Sequence, residues 1–422
     1  MKRSPIQAVK GTRDFYPELM AQRSWLYEKI RAVSRRFGYQ EYEGPILEAI
    51  ALYAAKSGDE LVKEQAFVLK DRGGDELAMR PELTPTLARM VAARQAQLPR
   101  PIRWWSYGPF WRYERPQKGR TREFFQWNID LLGTEDPRSD AELLAVAASF
   151  FLETGLTKDE IVLQVNNRRL MDGALARIGI ATGGEAKKSV FRLIDKRDKL
   201  PPDAWREYGL SLGLSEAQMD ALGRLLTDGD LWRASEELTV LFEMLEGYGV
   251  REMVAYEPSV IRGLDYYTGT VFEARDRAGS HRAILGGGRY DNLVADVGGD
   301  PIPGVGFAMG DVVVSLLLAE RGKLPSFAPA PARVLVTVFS PEMMLASIRA
   351  ASALRNAGID VELYPEPAKM AKQIRYADQQ SIPFAIVIGP DEAAGGTVAL
   401  KRLATGAQER LTLEEAAAQL RL

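Results

Sequence analysis

The residues of this chain best suited to chemistry are arginines set among aromatics. In Phe110-Trp111-Arg112-Tyr113-Glu114-Arg115-Pro116 an arginine sits inside an aromatic run, followed by Gln117 to Thr121 and then by Arg122 to Asp130. From Arg100 to Arg122 there are seven basic residues (Arg100, Arg103, Arg112, Arg115, Lys118, Arg120, Arg122) and one acid, Glu114. Such a concentration of guanidinium groups selects phosphate as a partner. A solvated basic hairpin would account for the charge, but not for an arginine buried among aromatics. A second constellation is Val260-Ile261-Arg262-Gly263-Leu264-Asp265-Tyr266-Tyr267-Thr268-Gly269-Thr270. It reads either as a fixed cation beside a ring-binding wall with hydroxyl donors, or as core tyrosines beside a surface arginine.

Other motifs carry less. Gly286-Gly287-Gly288-Arg289-Tyr290-Asp291 lacks the Gly-Lys-Ser/Thr ending of a phosphate-cradling P-loop, so its glycines are expected to permit close backbone approach. Gly304-Val305-Gly306 has Met309 where a dinucleotide fingerprint needs its third glycine. With no cysteine and a single histidine, thiolate or histidine-cluster metal sites and Ser-His-Asp hydrolysis are excluded. His281 reads as a surface residue without a partner, and no metal site is expected. The chain has 422 residues, 46% of them apolar, and its 55 basic against 57 acidic side chains nearly cancel. It is expected to form two or three globular domains, with no membrane span, no secretory leader and a cytoplasmic location.

The elements that must hold these residues can be read from periodicity. An amphipathic helix is expected from Pro17 to Phe37, then an extended stretch from Tyr39 to Leu47 whose Pro45 suits an edge or interface. Leu77 to Met79 reads as a strand, followed by a helix to about Gln95 capped by Thr84 with Pro85 in its first turn. Ile102 to Tyr113 and Arg122 to Leu132 read as antiparallel strands joined by the loop Glu114 to Thr121. In the second strand Phe125, Trp127, Ile129 and Leu131 face the core, and Phe124, Gln126, Asn128 and Asp130 line a pocket. A helical insertion runs from about residue 168 to 250. Strands are expected at Val260, at Tyr266 to Phe272 and at Ala283 to Leu285, and a buried apolar helix at Val312 to Leu318. Beyond the proline-rich stretch Leu324 to Ala332, strands and helices alternate through Leu420, which predicts an α/β domain on a mainly parallel sheet.

These motifs together resemble a known family. Phe110 to Asp130 is similar to motif 2 of class II aminoacyl-tRNA synthetases, and Arg262 to Glu273 with Ala283 to Asn292 resemble the two segments peculiar to histidyl-tRNA synthetases. Phe37 to Pro45 resembles the dimer-forming motif 1, Gly304 to Leu318 resembles motif 3, and Arg333 to Leu420 resembles the anticodon-binding domain. The resemblance implies an α+β catalytic domain on an antiparallel sheet over residues 1–325 with the helical insertion, a linker at 326–332, and a C-terminal α/β anticodon-binding domain at 333–422. It further implies that Arg112 and Arg262 are catalytic and hold the α-phosphate of ATP. Glu82, Leu83, Thr84, Gln126, Asp130, Tyr266 and Tyr267 would join them around L-histidine. Glu114 and Arg120 would join them at ATP, and Arg115, Gln117, Lys118 and Arg120 would meet tRNA(His). Mg²⁺ and a homodimer are implied as well.

The match departs from the family pattern twice. Motif 3 usually carries an arginine three residues after the glycine matching Gly310, and here Val313 stands there. Asp130 stands where many members have glutamate. Two functions therefore follow from the same resemblance. One is a ligase that activates histidine and charges tRNA. The other is the synthetase-like regulatory subunit of ATP phosphoribosyltransferase, which senses histidine without charging. The missing arginine favours the second; Arg112, Arg262, the basic loop and an anticodon-like domain favour the first.

Overall fold

The computed structural model describes residues 6–54, 65–261, 266–325 and 330–421. They fall into two compact units, residues 1–14 with 24–325 and residues 15–23 with 326–422. The strands of the first unit are β1 (Gln40–Glu41), β2 (Leu47–Ala49), β3 (Phe67–Lys70), β4 (Glu76–Met79), β5 (Ile102–Trp111), β6 (Glu123–Leu132), β7 (Ile161–Asn167), β8 (Val254–Tyr256), β9 (Thr270–Asp276), β10 (Leu285–Tyr290) and β11 (Gly304–Gly310). Among the described residues eight of these form one sheet in the order β1-β5-β6-β11-β10-β9-β7-β8, antiparallel from β5 through β7, with the parallel β1 and β8 at its edges. β2, β4 and β3 form a small antiparallel sheet.

The helices of this unit are α1 (Pro17–Arg36, of which the part from Ser24 on belongs here), α2 (Thr84–Arg94), α3 (Arg138–Glu153), α4 (Arg168–Arg177), α5 (Gly184–Asp195), α6 (Pro202–Ser211), α7 (Glu216–Leu225), α8 (Glu236–Gly247) and α9 (Asp311–Glu320), with shorter turns between them. The large sheet has a dry face and a working face. Trp127, Ile129 and Leu131 of β6 point into the dry side, where Trp127 packs against Phe150 of α3 (5.3 Å between centroids) and edge-on against Phe307 of β11 (4.9 Å). Each such side chain contributes about 2 kcal/mol of burial, enough to lock the strand's alternation so that its polar residues must face the other way.

The polar stretch from about 168 to 250 does not act as one module. α4 to α7 pack around their own core, which includes Leu175, Phe191, Leu193, Met219 and Leu222. Leu238, Leu241, Phe242 and Leu245 of α8 instead join the main core under the sheet. α8 is polar enough in sequence to read with its neighbours, yet its buried stripe is what decides where it docks.

Several elements lie elsewhere than the sequence pattern predicts. The strand expected at Ala283 to Leu285 instead runs from Leu285 to Tyr290 and takes in Gly286 to Gly288, and Val260 follows β8 instead of forming a strand. Thr84 is the first residue of α2 and not its cap, which is Leu83 with no side-chain hydrogen bond. The Thr84 hydroxyl is engaged with Tyr266 instead. His281 has a partner, since its Nε2 lies 2.8 Å from Glu320 Oε2.

The second unit contains β12 (Val334–Val336), β13 (Val361–Leu363), β14 (Phe384–Val387), β15 (Thr397–Arg402) and β16 (Gln408–Thr412), with α10 (Met344–Asn356), α11 (Met370–Gln379) and α12 (Leu413–Leu420). Its order is β13-β12-β14-β15-β16. The pairs β13-β12 and β12-β14 are parallel, but β14-β15 and β15-β16 are antiparallel, so the sheet is mixed rather than mainly parallel. The difference comes from β16, which is too exposed and charged to register as a strand yet pairs along its length with β15.

Candidate active site

A cavity of about 950 Å³ opens on the working face of the large sheet. It gathers Glu82, Thr84, Arg112, Glu114, Arg120, Gln126, Asp130, Tyr266 and Tyr267 from segments far apart in sequence. Leu83 is the exception among the residues expected at histidine: its side chain is fully buried and it does not line the cavity. Arg262 lies outside the described residues.

The register explains the convergence. Gln126, Asn128 and Asp130 of β6 stand opposite Gly310, Ala308 and Gly306 of β11. Ala308 and Gly306 in turn face Gly286 and Gly288 of β10, and Gly286 faces Glu273 of β9. The middle of the floor is therefore nearly bare backbone, flanked by polar side chains. The spacing is enforced, because a Cβ on Gly306 would lie 2.0 Å from Asp130 Oδ1 and one on Gly288 would lie 2.8 Å from Thr270 O. The expected role of Gly286 to Gly288 in close approach holds, within a strand. Gly304, Gly306 and Gly310 all fall on one face of β11, with Ala308 between them.

At one end of the floor, Asp130 is buried and accepts a 2.6 Å hydrogen bond from the Tyr290 hydroxyl. Burial pushes its carboxyl up to about 7, against the opposing effect of that hydrogen bond. Tyr266 donates to Glu82 Oε2 at 3.3 Å, and its phenol is pushed well above the ordinary value, first by burial and then by the Glu82 charge. Gln126 Oε1 is buried without a hydrogen-bond partner among the described residues. Glu82, Thr84 and Gln126 thus offer acceptors suited to an ammonium group, and Asp130 with the tyrosines offers an acid and ring edges suited to an imidazole. Tyr290 and Asn128 also line this end. They were not singled out as binding residues from sequence, although Asn128 shares the polar alternation of Gln126 and Asp130.

Toward the other end, Arg112 donates from Nε to Pro81 O at 3.0 Å, and its guanidinium carbon lies 5.3 Å from the centroid of the Phe124 ring. Phe124 is the aromatic member of the cavity-facing set on β6 and offers a flat wall to a base. Glu114 pairs with Arg120 at 3.0 Å. The loop between β5 and β6 closes with Gln117 and Arg120 exchanging backbone hydrogen bonds of 3.1 and 2.8 Å, which leaves Lys118 and Gly119 at its tip. Gly119 has φ +77°, a conformation that favours glycine. Arg115, Gln117 and Lys118 are not cavity residues; they lie on the outer side of this loop, with Lys118 Nζ 3.3 Å from Glu320 Oε1. The underlying frame is rigid: Arg80 is fully buried and donates to Glu43 Oε1 (2.5 Å), Gly44 O (2.9 Å) and Pro109 O (2.9 Å), and so ties the segment before β2 to β5.

An antiparallel sheet with an arginine-bearing hairpin over a cavity is the architecture of a class II aminoacyl-tRNA synthetase. The family model for histidyl-tRNA synthetase matches residues 11–311, and that for an anticodon-binding domain matches residues 333–421. A histidine–tRNA ligase of Halobacterium salinarum is 38% identical over 413 residues, covering 95% of this chain and 94% of that protein. The chloroplastic/mitochondrial histidine–tRNA ligase of Arabidopsis thaliana is 35% identical, covering 98% of this chain and 86% of its own. In fold, the chain is similar to the crystal structure of histidyl-tRNA synthetase from Nostoc sp. PCC 7120, with a TM-score of 0.83 at 24% identity, covering 99% of both chains. The chain belongs to the histidyl-tRNA synthetase family.

Proposed function

We propose that the protein is a histidine–tRNA ligase. In the first step a carboxylate oxygen of L-histidine attacks the α-phosphorus of ATP, forming histidyl-adenylate and releasing pyrophosphate. In the second, a ribose hydroxyl at the 3′ end of tRNA(His) attacks the adenylate carbonyl and AMP leaves. The nucleophile is already an anion, so the first step needs alignment and charge neutralisation more than a base. Arg112 supplies the charge at the α-phosphate, and Arg262 is assigned the same role. Mg²⁺ enters as the counter-ion of ATP. Glu82, Thr84 and Gln126 receive the α-amino group, Asp130, Tyr266 and Tyr267 the imidazole, and Phe124 with Glu114 the adenine. Arg115, Gln117, Lys118 and Arg120 face tRNA.

The observation that carries this reading is the convergence on one cavity of an acid-and-amide end and an arginine-and-aromatic end. Exposed Ile46, Leu47 and Val68 on and beside the small sheet support a homodimer formed through the segment around Pro45. Among the described residues no helix is long and apolar enough to cross a membrane, in keeping with a cytoplasmic setting.

ATP–pyrophosphate exchange measured with each amino acid in turn tests the reading. Exchange is expected with histidine alone, followed by charging of tRNA(His). Histidine binding without exchange would replace this function with that of a histidine-sensing regulatory subunit.

A further inference from the structure

At the nucleotide end of the cavity α9 presents Val312 and Val313, an apolar pair where an anionic ligand needs charge. A Cβ on Gly119 would sit 3.6 Å from Val313 Cγ2, so the tip of the β5–β6 loop closes over this wall. The wall itself supplies no cation.

β10 and β11 pair with Leu285 opposite Met309. The residues just before β10 therefore run beside the end of β11 and the first turn of α9. Gly286, Gly288 and Tyr290 mark the working face of β10, and Arg282 and Ile284 lie in the bend that leads into the strand. Both line the cavity, with Gly310, Val312 and Val313. Ile284 is tied to β9 by its N–H, which donates at 2.8 Å to the carbonyl of Ala274, the residue that Leu285 also faces. Arg275 and Arg277 also line the cavity but lie one strand further away, on β9 and just beyond it.

The backbone at Arg282 is held from two sides. Asp276 accepts from the N–H of Ser280 (2.9 Å) and of His281 (3.0 Å), and His281 Nε2 meets Glu320 Oε2 on α9 at 2.8 Å. The lone histidine of the chain thus fastens the segment before β10 to the helix that carries Val312 and Val313.

We propose that Arg282 is a nucleotide-binding residue, supplying from β10 the positive charge on the ATP phosphates that α9 does not, with His281 as its positioning residue. The proposal rests on the ligase reading only in taking ATP as the ligand. An arginine at this place acts on the nucleotide and not on histidine, which sits at the Asp130 end.

The test uses the full-length protein and reads both ATP dissociation by equilibrium dialysis and histidine-dependent exchange. Arg282→Ala is expected to raise the ATP Kd and the KM for ATP about tenfold or more, leaving the histidine KM within about twofold. Arg282→Lys should recover part of the loss, and His281→Ala should shift the same constants in the same direction by less. The double variant R282A/V313R should regain most of the ATP affinity, since it returns a cation to the same end from the opposite wall. An ATP Kd within twofold of the parent in R282A would overturn the proposal, as would a loss confined to tRNA charging. Dialysis decides the point even if exchange is absent, so failure of the ligase reading and failure of this one give different results.

Discussion

On one side of the cavity β6 and the loop before it crowd the ligand space with side chains; on the other side β10 and β11 clear it. β6 sends Phe124, Gln126, Asn128 and Asp130 over the floor, while β10 and β11 offer Gly286, Gly288, Gly306, Ala308 and Gly310 at the same levels. The two halves belong to one continuous antiparallel sheet, so the contrast is made by residue choice and not by topology. It shows that a binding site needs vacant strand face as much as functional groups. A polar half set against an equally bulky neighbour would have no room for a substrate.

The sharpest way to break the comparison is on the crowded side. Arg112→Ala removes the cation proposed for the reacting phosphate, and the fold loses a half-buried hydrogen bond from Nε to Pro81 O. Exchange should fall about 10²–10³-fold, as expected for an electrostatic group acting in the transition state, with a melting temperature close to the parent. Single-turnover adenylation read beside thermal unfolding separates the two effects. A variant that keeps near-parental rates would take Arg112 out of the reaction.

Next comes the cleared side. Gly306→Ala would place a methyl carbon 2.0 Å from Asp130 Oδ1 and 2.8 Å from Ile129 O. The backbone oxygen cannot step aside, so the variant should lose about 1–3 kcal/mol of stability from overpacking. Asp130 would also be displaced from its bond to Tyr290, and the histidine KM should rise about tenfold while the KM for ATP changes little. Denaturant unfolding and exchange kinetics test this together. A stable variant with an unaltered histidine KM would mean that the floor does not set the position of Asp130.

A smaller effect is expected from the protonation of Asp130. Burial raises its carboxyl to about 7 in the folded protein, whereas an unfolded aspartate titrates near about 4. The folded state therefore binds the extra proton between these values. Its contribution to stability is full below about pH 4 and is lost as pH rises through about 7, beyond which both states are ionised. Asp130→Asn cannot titrate, so across that window its melting temperature should fall less steeply with rising pH than the parent's. In function, ionised Asp130 is the better acceptor for a ring N–H, so the parent's histidine KM should climb on acidification below about pH 7. The same pH profile in D130N would sink the imidazole assignment.

The crowded half was legible in the sequence and the cleared half was not. Period-two alternation in β6 has large apolar side chains to mark one face, and burying Trp127, Ile129 and Leu131 leaves the polar set only one way to point. Glycines mark no face: Gly304-Val305-Gly306 reads as a failed nucleotide fingerprint and Gly286 to Gly288 only as room for close backbone approach. Only their pairing partners reveal the shared surface. His281 escaped for a similar reason, because its partner Glu320 is 39 residues away and joins it only once α9 packs beside β10. Thr84 was read as a cap because local pattern favours that role, whereas a long-range contact to Tyr266 claims its hydroxyl. In the second unit, β16 is charged and mostly exposed, so its place in the sheet follows from pairing with β15 and not from its composition.

The loop between β5 and β6 offers the finest division of the same kind, between its inner and outer residues. The family resemblance assigns both Lys118 and Arg120 to tRNA and Arg120 to ATP as well. In the structure Arg120 lines the cavity and pairs with Glu114, whereas Lys118 is exposed at the tip and pairs with Glu320. An exposed pair of that sort is worth about 0–1 kcal/mol, so Lys118→Ala should leave the fold and the exchange reaction untouched. A lost phosphate contact should instead lower tRNA charging by a few fold and reduce the slope of log affinity against log salt by about one. Arg120→Ala should weaken both steps, because Arg120 lines the cavity and belongs to the basic loop proposed for tRNA. Charging and exchange measured over a salt series for the two variants resolve the matter: equal losses in both steps for K118A would place the tip of the loop over ATP, and the division between its inner and outer faces would have to be abandoned.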